Sequence, residues 1–504
     1  MLTLVWFKRD LRLDDHEPLH RALAAGAVLP VYIIEPDYWR QPDTSTRQWQ
    51  LTAQAVQQLD AALRKLGQPL LVRRGPATQV IRQLLQQFPI QQVCSHQETG
   101  NLWTYQRDEA VGRLLQECGI VWQQCRQHAV FRRLSSRDLW FSQADAFLRS
   151  PCLPAPDHLP FVWPEPPPPD SIWQLPPRHE LAPLAAQQLV FYQQPSQLLQ
   201  SFLHTRSRQY RTHISLPAKA ETSCSRLSVP LSLGQLSLRR LQQDCYQLSK
   251  HSSGQHQLGL QALFSRLRWH CHFMQKLEDE PALEFFPMQP LYRGLRNEHH
   301  PAYWQAWSTG FTGYPLIDAA MRCLRSTGWL HFRGRAMLTA FASYQLWLDW
   351  RSVALHLARC FNDYEPGIHY PQIQMQAGTT SINPNRMYNP LKQSQQKDPR
   401  GDFIRRWCPE LAALPDNWLH QPWLLTHNLQ LQYHCVLERD YPLPVVDLVT
   451  ATRLARQRIS AWHQQHPNTE WQQSRTQVMT RHASRKRPQP KAKTVNRAQL
   501  DFDW

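Results

Sequence analysis

The sequence has no Cys-x-x-Cys pair, and its 11 cysteines are odd in number and scattered. That predicts reduced thiols in a cytoplasmic setting, not a disulfide framework or a thiolate metal site. No G-x-G-x-x-G follows the first apolar run, so the dinucleotide fingerprint is missing. No stretch of about 18 apolar residues occurs, so no membrane-spanning helix is expected. Met1–Asp10 carries no charged leader and no small-residue cleavage site, so no secretory signal is expected. Residues 312–411 hold few glycines, and nothing in them looks like a hydrolase triad or a zinc site.

What is present is charge of one sign. Lys and Arg number 56 against 39 Asp and Glu, a formal +17. Arg475–Trp504 holds eight basic and two acidic residues, so +6 sits in the tail and +11 in the body. A basic body suits a polyanionic partner, because neutralising phosphates releases counterions. The chain is long enough for two or three domains.

Residues 1–125 alternate between short apolar runs (Leu2–Phe7, Val28–Glu35, Leu70–Arg73, Gln91–Cys94, Ile120–Gln123) and helical-period segments such as Thr46–Leu66 and Leu102–Cys118. Such alternation predicts a parallel sheet flanked by helices. Residues 151–183 hold twelve of the 40 prolines and read as an extended connector. From about 195 to 470, Leu, Gln, Arg and Trp recur at three- and four-residue spacing, which predicts helices. Beyond about 472 the apolar period is lost, and a disordered tail is expected, either solvated or touching DNA. The predicted layout is an α/β domain (1–130), a linker (131–195), an all-α domain (196–472) and a tail (473–504).

Residues 312–411 carry the most specific words. They include Thr312-Gly313-Tyr314-Pro315-Leu316-Ile317-Asp318-Ala319-Ala320-Met321-Arg322, Ser326-Thr327-Gly328-Trp329 and Asp349-Trp350-Arg351. In this order they resemble the FAD-binding helical core of the photolyase/cryptochrome family, in a divergent bacterial-type branch. The opening run Val5–Leu19 and residues 96–111 resemble that family's antenna domain. The resemblance covers about residues 1–470. It implies FAD as cofactor, UV-damaged DNA as partner, a monomer, and a second antenna chromophore (a folate or deazaflavin) that the sequence does not identify. The scattered cysteines argue against the iron–sulfur cluster that one branch carries.

By the same resemblance, Thr222–Ser228 matches the flavin phosphate loop, a place where hydroxyls and free N–H groups at a helix start suit a pyrophosphate. The implied cofactor residues are Tyr210, Cys224, Ser225, Arg226, Leu227, Ser228, His270, Phe332, Arg335, Asp363, Tyr364, Glu365 and His369. Arg335 and Asp363 are expected to pair beside the flavin, where a cation favours an anionic reduced ring. His369 stands where the family usually has an Asn facing flavin N5. A His there either donates a proton or offers a lone pair, depending on tautomer.

Trp350 matches the middle tryptophan of the family's three-membered electron path. Ile373 and Asn297 occupy the other two positions, and neither can carry a hole. Trp329, Trp347, Tyr370, Trp304 and Trp307 are candidates for another route or simply for packing. Trp269 matches the aromatic that stacks on a flipped lesion. Arg266, Phe332 and Met375 stand where the family has a lesion-binding Glu, an Asn and a second Trp. Arg333 and Arg386 match positions near DNA phosphates. Trp269, His369, Trp350 and Arg266 are thus the residues expected to serve catalysis. Trp269-His270-Cys271-His272 is not expected to bind metal, because adjacent helical residues point apart. The functions to weigh are a light-driven repair lyase, a cryptochrome-like photoreceptor and, with least support, a flavin oxidoreductase.

Overall fold

A computed structural model describes residues 1–175, 181–382 and 387–483. The expected pair of domains is present: an α/β parallel-sheet domain followed by an all-α domain.

Five parallel strands form one sheet in the order β3-β2-β1-β4-β5. They are β1 (Leu2–Phe7), β2 (Ala27–Ile34), β3 (Leu71–Arg74), β4 (Ile90–His96) and β5 (Val121–Cys125). Each expected strand is found, β1 with the expected bounds and the other four displaced by one or two residues at their ends. β1 explains why the runs are continuously apolar. Val5 and Phe7 face one core, Leu4 and Trp6 face another, and helices cover both sides.

Strand order reverses between β1 and β4, and such a switch point opens a crevice at the strands' C-terminal ends. Here the helical domain docks into it. Arg9 donates to the carbonyls of Ser232 (3.1 Å) and Tyr364 (3.0 Å), and Arg12 donates to that of Gly234. Gly234 has φ +68°, and a Cβ there would lie 2.2 Å from the Arg9 carbonyl oxygen. Only glycine admits this approach.

The proline-rich segment wraps the α/β domain as expected. Leu159 N–H donates to Leu66 O, Glu165 pairs with Arg73 at 2.6 Å, and Trp163 packs edge-on to Phe88. On either side of residues 151–183 the linker 131–195 is helical in part. Helices Trp140–Arg149 and Ala186–Tyr192 lie within it, and Ala144 and Leu148 join the helical-domain core.

The helix Gly254–Asp279 is the axis of the second domain. It packs on Ser207–His213, Leu238–Lys250 and Pro366–Ala377. The specific words are largely structural. Asp318 accepts from Thr312 N–H, Thr312 Oγ1, Gly313 N–H and Tyr441 OH, tying a loop to the helix Pro315–Thr327. Gly328 ends that helix at φ +70°, and its carbonyl accepts from Asn362 N–H. Asp349 caps the helix Trp350–Cys360.

The expectation of disorder from 473 is corrected up to His482. A helix spans Asn468–His482, with Val478 buried against Leu277 and Met288, and with His482 hydrogen-bonded to Glu280 at 2.7 Å. Its apolar contacts are too sparse to give a period, and polar anchors do the rest. The remaining tail, 484–504, lies outside the described residues. Among the described residues no helix is long and apolar enough to cross a membrane, and none of the eleven cysteines is in a disulfide.

Candidate functional site

The helical domain surrounds a cavity of about 370 Å³. Its wall gathers residues from six separated segments: residues 210–215, residues 224–232, the helix Gly254–Asp279, residues 329–339, residues 361–376 and Tyr388. Of the expected cofactor residues, Tyr210, Cys224, Ser225, Arg226, Ser228, His270, Phe332, Arg335, Asp363, Tyr364, Glu365 and His369 all line it. Leu227 does not. It is 1% exposed and turned into the core, the inward residue of a loop whose neighbours face the cavity.

The loop 224–228 joins the helix Pro217–Ser223 to a single turn, Ser228–Ser232. Arg206 clamps it by donating to the carbonyls of Cys224 and Ser225 (3.1 Å to the second). Arg226 adopts φ +59° and stacks on Trp329, 4.1 Å from the ring centre.

Across the cavity Arg335 forms a fork with Asp363 (3.0 and 2.8 Å) and donates Nε–H to the Leu330 carbonyl. Burial alone would raise the Asp363 carboxyl; the Arg335 guanidinium holds it below its ordinary value. Glu365 pairs with Arg9 of the other domain at 3.0 Å, so this wall is also the domain interface.

His369 has its tautomer set by geometry. Its Nε2 lies 2.8 Å from the Ala354 carbonyl, which only accepts, so Nε2 carries the proton. Burial lowers its pKa to about 4 and keeps it neutral. Nδ1 is therefore a bare lone pair. Of the two roles open from sequence, acceptance is the one the fold selects.

The wall leaves buried polar atoms without partners: His270 Nδ1, Glu365 Oε1, Arg226 Nε, Arg333 Nε and Gln372 Oε1. Unsatisfied buried groups of both kinds call for a ligand or water that donates and accepts. An FAD, with phosphates, hydroxyls and ring N–H and C=O groups, fits that donor set. A second space of only about 70 Å³ lies between the domains beside Trp6, Arg9, Glu35, Tyr38, Glu98 and Arg107. Arg107 binds Glu35, Glu98 and Asp108 there.

The lesion-side residues divide. Arg266, Trp269, Phe332 and Arg333 line the cavity, and Trp269 and Phe332 are each 37% exposed, so they stand at its opening. Met375 is partly buried and off the wall. Arg386 lies outside the described residues. Trp350 is 6% exposed in the helical core and does not reach the cavity. Asn297 is exposed, while Ile373 is on the wall. In Trp269–His272 the side chains diverge as expected. Trp269 and His270 face the cavity, Cys271 joins the core, and His272 accepts from Arg137.

Residues the sequence reading missed are Gln372 and Gln376, also on the wall. They lie three and seven positions after His369 on one helix, a spacing that puts them on its face. Asp10, His16 and His96 come within metal-ligating distance. His16 Nδ1 accepts from Leu19 N–H, however, so its Nε2 donates to Asp10. The cluster is a hydrogen-bonded support.

Burial lowers His270 and His369 to about 4 and His96, His331 and His356 to about 3. A His whose folded pKa is depressed leaves stability intact above its unfolded value near 6.5. Stability is lost as pH falls from there toward the folded value. Each contributes up to about 1.4 kcal/mol per pH unit. Imidazole nitrogen shifts followed by NMR at stepped pH are expected to show these rings still neutral at about pH 5, and rings already protonated there would show that burial does not hold them neutral.

Comparison with known proteins agrees with this geometry. A family model described as DNA photolyase matches residues 3–137, and one described as the FAD binding domain of DNA photolyase matches residues 263–461. A cryptochrome DASH of Synechocystis sp. is 31% identical, covering 88% of this chain and 95% of that one. A deoxyribodipyrimidine photo-lyase of Vibrio cholerae is 30% identical, covering 88% and 96%. The crystal structure of a Synechocystis cryptochrome superposes with a TM-score of 0.79 at 28% identity, over 91% of this chain and 99% of that one. With flavin-binding cavity and switch-point docking both in place, the chain belongs to the photolyase/cryptochrome family of FAD-binding proteins.

Proposed function

We propose that this protein is a blue-light-driven lyase that splits pyrimidine dimers in DNA. The observation that carries the proposal is the opening of the cavity, where two half-exposed rings, Trp269 and Phe332, stand beside two guanidiniums, Arg266 and Arg333. A base swung out of the stack is held by ring faces, and its flanking phosphates by Arg. When bound, reduced FAD supplies a light-activated electron to the dimer and takes it back after the bonds split.

The chain's own residues do the rest. Cys224, Ser225, Arg226 and Ser228 would hold the pyrophosphate. Arg335 would offset negative charge on the ring, and His369 Nδ1 would accept from a ring N–H. Trp269 orients the lesion and excludes water. No acid–base residue is needed for cleavage. Arg386 remains proposed as a phosphate contact. A monomer in the cytoplasm is part of the proposal, supported by free thiols and a basic body.

A photoreceptor without repair activity is the second reading. The observation that favours it is the replacement of lesion contacts by Arg266, Phe332 and Met375.

Blue-light treatment of oligonucleotides carrying one cyclobutane dimer or one (6-4) product, with chemically reduced protein, separates the two. Loss of a lesion is expected in light only. Trp269→Ala is expected to weaken damaged-DNA binding about ten- to a hundredfold, because stacking is worth about 1–3 kcal/mol per base, with FAD retained. No repair of either lesion by FAD-loaded protein would transfer the conclusion to the photoreceptor.

A further inference from the structure

Tyr364 is on the cavity wall, and it also lines the smaller space between the domains. Its hydroxyl donates to Asp43 Oδ2 at 2.5 Å. Tyr370 donates to the same oxygen at 3.3 Å, and the two rings lie 6.5 Å apart, nearly perpendicular. Asn101 Nδ2 donates to both oxygens of that carboxylate. Asp43 is 1% exposed and comes from the α/β domain, while both tyrosines come from the helical domain. Two buried phenols therefore share one buried base, and one of them faces the cofactor cavity.

We propose that Tyr364 is the immediate electron donor when the bound, oxidised flavin is photoreduced, with Asp43 taking its proton and Tyr370 standing behind it. The proposal rests on the reading of the cavity as a light-driven flavin site. One electron leaves Tyr364 for the photoexcited flavin, and the phenolic proton moves to Asp43 Oδ2. A neutral tyrosyl radical and a neutral carboxylic acid result. Without the base, oxidation would leave a phenol radical cation in a buried site, and burial penalises that charge. Tyr370 then passes an electron to Tyr364. The proton on Asp43 returns to Tyr364, and the Tyr370 proton replaces it. A thiolate in solution finally supplies one electron to buried Tyr370, the Asp43 proton returns to it, and the thiyl radicals formed pair as disulfide.

The sequence points the same way. Ile373 fills the wall position expected to hold a tryptophan, and Trp350 does not reach the wall. Tyr364 is on the wall and is hydrogen-bonded to a carboxylate. Asp43 is a positioning residue: it acts through Tyr364.

The test is illumination of the oxidised, FAD-loaded full chain with a thiol reductant, followed by absorbance and by electron paramagnetic resonance of the frozen sample. Wild-type protein made with ring-deuterated tyrosine is expected to show a narrowed radical signal, and protein made with deuterated tryptophan an unchanged one. Tyr364→Phe is expected to slow photoreduction roughly a hundredfold. Asp43→Asn, which keeps the shape but not the base, is expected to slow it at least about tenfold and remove its solvent deuterium effect, with Asp43→Glu restoring both. Narrowing with the tryptophan label overturns the proposal without any variant having to fold. So does Tyr364→Phe reducing at the wild-type rate, or Trp350→Phe alone abolishing reduction. Wild type that repairs after chemical reduction but never photoreduces overturns this proposal and leaves the repair reading standing. Wild type that does neither overturns both.

Discussion

Arg335→Leu is expected to yield a colourless protein. Arg335 holds three positions at once: both oxygens of Asp363, the Leu330 carbonyl, and the face of Phe361, 4.1 Å from its ring centre. Asp363 is 9% exposed, and Arg335 is what offsets its burial. Truncating one member of a buried pair costs about 3–5 kcal/mol, because the survivor is left charged without a partner. Asp363 escapes by taking a proton, and the cavity then loses both its cation and its carboxylate. FAD occupancy, read from the visible spectrum after gel filtration, is expected to fall more than about tenfold, the equivalent of 1.4 kcal/mol. Arg335→Lys keeps the charge but not the fork, and is expected to fall between. Arg335→Leu combined with Asp363→Asn separates folding from binding. The double variant is expected to recover melting temperature but not colour, since the stranded charge is gone while the cation is still missing. Full FAD occupancy in Arg335→Leu would sink the assignment of this pair to the cofactor site.

The pairing of Arg335 with Asp363 was legible because the family resemblance places both beside the flavin, and the structure joins them. So was the α/β sheet, where β-branched runs bounded by helical periods leave few alternatives. What was not legible has physical causes. Leu227 follows Arg226, whose left-handed backbone turns the chain, so a residue in the middle of the loop points inward. The helix ending at His482 is held by Ser474 on Gln289 and His482 on Glu280, partners about 185 and 202 positions away in sequence. No local window contains them. Asp43 lies in the turn before the helix Thr46–Lys65 and belongs to no motif. Only docking of the second domain buries it under Tyr364 and Tyr370.

His369 shows the same gap, and closing it gives a prediction of sign. Sequence allowed donor or acceptor. The Ala354 carbonyl, fifteen residues away, holds the Nε2 proton and leaves Nδ1 bare. A bare imidazole nitrogen stabilises a ring N–H and opposes another lone pair. Oxidised flavin presents an unprotonated N5, and reduced flavin an N–H there. Under the proposed site, with Nδ1 toward N5, His369 would favour the reduced cofactor. His369→Leu is expected to make the flavin harder to reduce. A lost hydrogen bond that strands a buried donor costs about 1–3 kcal/mol, which for a two-electron couple is about 20–60 mV more negative. Spectroelectrochemical titration reads it directly. Acid supplies an independent check on the same atom. As pH approaches about 4, His369 gains its second proton, Nδ1 becomes a donor, and the difference between wild type and His369→Leu shrinks and then changes sign. A shift to more positive potential in His369→Leu at neutral pH would mean that Nδ1 carries the proton and that the Ala354 hydrogen bond does not set the tautomer.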